Sequence, residues 1–100
     1  MTHIRTRAVR AGQHTDPSTG AIAKPISQTT VFCYGTLEQG AAIFAGETPG
    51  YRCSRFANPN VAALEAKMAD LEGAQAAVAF ASDTAATSSV LPGLLNPGMK

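Results

Sequence analysis

The 100-residue chain is predicted to be α/β, an extended arm followed by a helix–strand–helix unit. Three observations predict it. Met1 to Phe32 shows no sustained hydrophobic periodicity. Val61, Leu64, Met68 and Leu71 then recur at helical spacing between an Asn and a Gly. Ala76-Ala77-Val78-Ala79-Phe80-Ala81 is a short apolar run, the pattern of a strand buried in a parallel sheet.

Within the arm, Asp16-Pro17-Ser18-Thr19-Gly20 is a turn cluster, because Pro presets one φ and Gly admits a positive one. Pro25 biases Lys24 toward extended backbone, and Ile26 to Phe32 follows as a short strand or an arm lying on another surface. So little local structure needs anchoring from outside itself. Leu37 to Phe44 suits a short helix, and Gly46 to Gly50 reads as a loop. Asn60 is the expected N-cap of the main helix, since its side chain can accept a free first-turn N–H, and Gly73 is the expected stop. Asp83 is placed to cap a last helix reaching Leu91, with Pro92-Gly93 kinking or ending it. Asn96-Pro97-Gly98 is a strong turn. A single buried strand has nothing to pair with, so the order reads as one unfinished layer of a larger fold.

Composition excludes several classes. A formal net charge of +1 provides no field for nucleic acid or an anionic membrane. Arg5, Arg7 and Arg10 precede the first acid, Asp16, a pattern that fits a short transit-like segment and fits better an exposed arm that seeks a partner. Cys33 and Cys53 are twenty residues apart, with neither His3 nor His14 near them, so metal-ligand spacing is missing and free thiols are expected. No apolar run reaches the length of a membrane span, and no signal-peptide core is present, which makes the cytoplasm the expected compartment.

The stretches Gly12-Gln13, Asp16-Pro17, Thr19-Gly20-Ala21-Ile22, Pro25-Ile26 and Gln28-Thr29-Thr30 lead into Phe44-Ala45-Gly46-Glu47. Tyr51-x-x-Ser54-Arg55-x-x-Asn58-Pro59-Asn60 follows, then Ala63-Leu64-Glu65, Leu71-Glu72-Gly73-Ala74 and Ala79-Phe80-Ala81-Ser82. Together they resemble the N-terminal segment of the transsulfuration (Cys/Met metabolism) enzymes that depend on pyridoxal 5'-phosphate. That family includes cystathionine γ-synthase, cystathionine γ-lyase, methionine γ-lyase and O-acetylhomoserine sulfhydrylase. The resemblance covers nearly the whole chain and does not single out one member. It implies the incomplete N-terminal part of a type I aminotransferase-like fold. Residues 1–58 would be the arm and intersubunit segment, and residues 59–100 the truncated start of the cofactor domain. It also implies that Arg55 binds the cofactor phosphate of a neighbouring subunit, a task suited to the guanidinium fork. A surface Arg outside such a motif would simply pair with a carboxylate.

Three positions depart from the family pattern. Cys53 stands where the resemblance implies a second Tyr, which removes a phenolic donor. Asp83 and Thr84 stand where it implies a Gly followed by Met or Leu, whose backbone amides would hold the phosphate. A carboxylate ~4 Å from a phosphate charge, at an effective dielectric of about 20, is repelled by about 4 kcal/mol, roughly a thousandfold in affinity.

The cofactor also requires a covalently bonded lysine and an acid on its pyridine nitrogen. Lys24, Lys67 and Lys100 lack the Ser-x-Thr-Lys context that the resemblance implies, and each reads as a solvated charge. Ser54, Ser82, Ser88 and Ser89 have no recognisable His partner for hydrolase chemistry. No catalytic residue is therefore assigned. The expected function is a truncated or remnant enzyme of sulfur amino-acid metabolism. Its relatives eliminate or replace groups on sulfur amino acids or O-acylhomoserine, and the chain alone is expected to be inactive. The alternative is an interaction protein docking onto a full-length homologue.

Overall fold

The computed structural model describes residues 3–95, so the expected turn at Asn96-Pro97-Gly98 lies outside the described residues, as do Met99 and Lys100. Four helices carry the regular structure: α1 (Ile4–Arg10), α2 (Leu37–Ala45), α3 (Pro59–Glu72) and α4 (Asp83–Leu94). None is long and apolar enough to cross a membrane.

Helix α1 is absent from the sequence reading. Its seven residues are too few to display a period, and so short a helix is marginal without tertiary support. The His3 imidazole caps it by accepting from the Arg5 N–H, and Arg7 and Arg10 in its last turn complement the helix dipole. Support comes from α3. Arg7 Nε donates to Asp70 Oδ2 at 2.8 Å, and Lys67 Nζ donates to the Val9 carbonyl at 3.2 Å. Both contacts are exposed, so Arg7 and Lys67 remain solvated while touching the neighbouring element. Just beyond α1, Gly12 has φ +70°, and a Cβ there would lie 2.4 Å from the Ala63 carbonyl oxygen. Only glycine combines that backbone with so close an approach.

Helix α2 forms as expected, with the Thr36 hydroxyl accepting from Gln39 N–H and Gly46 ending it in the left-handed region. Helix α3 starts two residues earlier than expected. Asn58 is its N-cap, Pro59 occupies the first turn, and Gly73 terminates it at φ +66°. Pro fits there because the missing N–H would have had no helical partner. Helix α4 is capped by the Ser82 hydroxyl, which accepts from Ala85 N–H, so Asp83 becomes the first helical residue instead of the cap. The helix also passes through Pro92 to Leu94, further than the expected end at Leu91.

The expected strand at 76–81 is not paired. The segment between α3 and α4 carries no ladder, and the Ala79 N–H donates instead to Glu65 Oε1 of α3 at 2.8 Å. Among the described residues, β pairing is confined to one antiparallel bridge between Val31 and Cys53. It ties the arm to the segment before α3 through Phe32 N–H to Arg52 O at 3.2 Å and Ser54 N–H to Thr30 O at 3.0 Å. Ile26 to Phe32 is therefore an arm tied at Ser27 and again from Thr29 to Phe32, not a strand.

Burial is slight. Ala69, at 9% exposure, is the buried hydrophobic residue among those described. Val61, Leu64 and Met68, expected to face a core, remain exposed, as do Val78 and Phe80 opposite them. The opposite side of α3 is the one that receives α1 and Gly12.

Candidate functional site

The tetrapeptide Cys53-Ser54-Arg55-Phe56 folds as a tight turn, with Phe56 N–H donating to Cys53 O at 3.0 Å and Ala57 N–H to the same oxygen at 3.1 Å. Three side chains fix where this turn sits. Ser54 Oγ donates to the Thr29 carbonyl. Asn58 Nδ2 donates to Ser54 Oγ at 2.9 Å and to the Ser27 carbonyl at 3.0 Å. Its Oδ1 accepts from Asn60 N–H at 2.9 Å. Asn60 in turn accepts from Ser27 N–H at 2.7 Å and donates to the Pro25 carbonyl at 2.9 Å.

Asn58 is buried, at 8% exposure, and both ends of its amide are satisfied. A buried amide without partners would cost about 1–3 kcal/mol, so this network specifies one seating of the arm. The motif residues Ser54, Asn58 and Asn60 are thus scaffold. The sequence reading assigned Asn60 the cap and missed the role of Asn58. The signal was present in Asn58-Pro59, because Pro favours the first helical position and its predecessor is then the cap.

The scaffold leaves Arg55 exposed. Its Cζ lies 5.5 Å from the centroid of the Phe56 ring. It makes no ion pair with a described carboxylate; the pair formed among the described residues is Arg7 with Asp70. Arg55, Phe56 and Asn58 line one side of a groove of about 650 Å³, and Val78 to Ala81 lines the other. That far wall leads straight into Ser82 and the N-terminus of α4.

At that N-terminus the Ser82 hydroxyl occupies one backbone donor, Ala85 N–H, and Asp83 adds a carboxylate to the first turn. The carboxylate complements the helix dipole, and it makes the turn a poor receptor for a second anion. Cys53 is half-buried with a free thiol, and Cys33 is free and exposed. Among the described residues no group of His, Cys, Asp and Glu could hold a metal ion. Lys24 and His14 line a separate small cavity with Tyr51, and Arg55 is not among its lining residues.

Comparison with known proteins identifies the wider setting. The sequence profile described as Cys/Met metabolism PLP-dependent enzyme matches residues 5–100. L-methionine gamma-lyase of Pseudomonas putida is 46% identical over 93 residues, which is 93% of this chain and 23% of that enzyme. O-acetyl-L-homoserine sulfhydrylase of Corynebacterium glutamicum is 43% identical over 95 residues, 95% of this chain and 22% of that enzyme. The crystal structure of metB from Corynebacterium glutamicum superposes with a TM-score of 0.83 at 33% identity, covering 98% of this chain and 24% of that one. The chain therefore spans about a quarter of the length of the relatives it matches.

Proposed function

Since the chain belongs to the Cys/Met metabolism PLP-dependent enzyme family, we propose that it supplies the arm and the opening of the cofactor domain of a transsulfuration enzyme. Its fold is the N-terminal part of the type I aminotransferase-like fold of its structural neighbours. The division falls at Asn58, with residues 1–58 as the intersubunit arm and 59–100 as the start of the cofactor domain. The substrates are sulfur amino acids or O-acylhomoserine, from which a group is eliminated or replaced.

One observation carries this reading. Arg55 stands on a hydrogen-bonded scaffold, exposed and without a described acidic partner, so its guanidinium is available to an external anion. The described residues fit the phosphate group of pyridoxal 5'-phosphate through Arg55, and the neighbouring subunit is where that phosphate is bound. When bound, the cofactor supplies an electron sink for carbanions. This chain's own contribution is to bind and orient. Asn58 and Ser54 fix the turn, and Arg55 presents two parallel N–H groups to phosphate oxygens. Asp83 places a negative charge in the first turn of α4, which opposes a phosphate there, so this reading relies on Arg55.

On this reading the segment by itself turns over no substrate. Lys67 donates to the Val9 carbonyl, and Lys24 lines a cavity whose lining does not include Arg55. The exposed faces of Val61, Leu64, Met68, Val78 and Phe80 support a second reading, that the segment works docked against further protein of the same family.

A split-enzyme experiment tests both. The chain is co-expressed with the Pseudomonas putida relative from which the matched segment has been deleted. Co-purification with visible cofactor absorbance, lost with Arg55→Ala while association persists, is the expected result. Failure to associate removes the docking reading. Association with cofactor retention unchanged by Arg55→Ala removes the phosphate role.

A further inference from the structure

The residue just before the turn that carries Arg55 is a second cation, Arg52. Arg52 Cζ lies 4.5 Å from the centroid of Phe56 and 5.1 Å from that of Phe44. Arg55 Cζ lies 5.5 Å from the same Phe56 ring. The two guanidiniums are therefore no further apart than their two distances to that ring taken together. Arg52 is half-buried, and neither cation has a described carboxylate at ion-pair distance. Contact with two rings limits where the Arg52 head can go, since a cation over a ring is attracted by the ring's quadrupole. Two like charges gathered at one ring without a counter-charge lower the energy of an anion placed between them.

We propose that Arg52 is a second anion-binding residue, acting with Arg55 as a two-guanidinium clamp for a phosphate monoester dianion. This rests on the reading of Arg55 given above and adds to it a residue and a ligand charge. A carboxylate is saturated by one guanidinium fork. A phosphate ester with a charge of about −1.5 to −2 and three acceptor oxygens has capacity for two. Phe56 sets the spacing between the forks, and Phe44 at the end of α2 fixes Arg52 from its other neighbour. The phosphate can belong to a vitamin B6 ester or be free inorganic phosphate.

The test is titration of the isotopically labelled chain, followed through the Arg Nε–Hε resonances. The probes are inorganic phosphate, pyridoxine 5'-phosphate, pyridoxine and acetate. Pyridoxine 5'-phosphate lacks an aldehyde, so lysine reactions do not intervene. The expected result is that both phosphates shift the resonances of Arg52 and Arg55, and pyridoxine and acetate shift neither. Tighter binding of the ester than of inorganic phosphate assigns the site to the B6 ester, and equal binding assigns it to phosphate as such. Arg52→Gln and Arg55→Gln each weaken phosphate binding about tenfold, or about 1.4 kcal/mol, and Arg52→Lys falls between Arg52→Gln and the unaltered chain. Far-ultraviolet circular dichroism confirms that each variant retains its helices. If Arg55→Gln weakens binding and Arg52→Gln does not, the clamp is overturned and the role of Arg55 stands. If the unaltered chain shows no phosphate-dependent shift, the clamp is overturned, and the role of Arg55 toward a neighbouring subunit is decided separately by the split-enzyme experiment.

Discussion

The Asn58 side chain donates to the Ser27 carbonyl at 3.0 Å across 31 positions of sequence, while its own oxygen starts helix α3 by accepting from Asn60 N–H. One amide therefore joins the arm to the helix and holds the Arg55 turn between them through Ser54. An Asp at this position would keep the cap and lose both donations, so the residue type is set by the need for a donor and an acceptor on one short side chain.

Replacement of Asn58 separates these tasks. Asn58→Ser keeps a capping oxygen but cannot reach Ser27, and Asn58→Ala loses everything. Asn58→Ala is expected to destabilise by about 2–4 kcal/mol, combining a lost cap of about 1 kcal/mol with the exposed and unsatisfied Ser27 and Ser54 groups. Asn58→Ser should preserve the helical circular dichroism of α3 while the carbonyl carbon resonance of Ser27, which loses its bond from the Asn58 amide, shifts upfield. An unchanged Ser27 carbonyl resonance in both variants would show that Asn58 does not hold the arm there.

Gly12 provides a steric test. Gly12→Ala combines a positive φ with a Cβ placed 2.4 Å from the Ala63 carbonyl, so the α1 junction must move away from α3. Gly20 has a similar φ, +73°, with nothing within 4 Å of its Cβ, so Gly20→Ala incurs the backbone penalty alone, about 1 kcal/mol. The expected order of melting temperatures is unaltered chain, then Gly20→Ala, then Gly12→Ala. Gly12→Ala should also weaken the Arg7–Asp70 and Lys67–Val9 contacts together. If the two variants melt alike, the close approach carries no weight.

These contacts show which parts of the fold the sequence displays. Several local signals read correctly, though the caps of α3 and α4 were each displaced from the expected residue. The short helix from Leu37, Gly73 after α3 and the Asp16–Gly20 turn all act within a few residues, and their residue types declare it. Long-range partners did not read. Nothing near Lys67 in sequence says that its ammonium meets Val9, and nothing near Asp70 points to Arg7. The apolar spacing of Val61, Leu64 and Met68 marks a face suited to burial, but a period cannot state what covers it, and in this chain that face stays open. The run at 76–81 has strand composition, and a strand exists only where another backbone offers its donors and acceptors. Arg55 was marked by its motif; Arg52 was not, because its significance lies in its position beside Phe44 and Phe56.

The Arg7–Asp70 pair is exposed on both sides, with side chains 32% and 46% accessible, so its contribution should be small and sensitive to salt. A double-mutant cycle with Arg7→Ala and Asp70→Ala is expected to give a coupling of about 0.2–1 kcal/mol at low salt. Half-molar sodium chloride should remove most of it. Coupling above that range, or independent of salt, would mean that α1 docking depends on this contact more than on Gly12 and Lys67.

The Asp16 turn predicts an acid response. The Ser18 hydroxyl, then the Thr19 hydroxyl and amide, donate to its carboxylate and hold its pKa below the ordinary aspartate value. Those donors favour the charged form, so their stabilising effect is fully present above the unfolded pKa of about 3.9. It is lost as pH falls through the lower folded value, because protonation then occurs more readily in the unfolded chain. The Thr19 amide resonance should therefore titrate with a midpoint below that of an unstructured Asp, and acid should open the turn before it disturbs α3. Asp16→Asn keeps the acceptor but removes the charge, and it should abolish the titration while leaving Gly20 N–H bonded to the carbonyl of residue 16. A Thr19 midpoint at or above the ordinary value would show that the hydroxyls do not hold the carboxylate in solution.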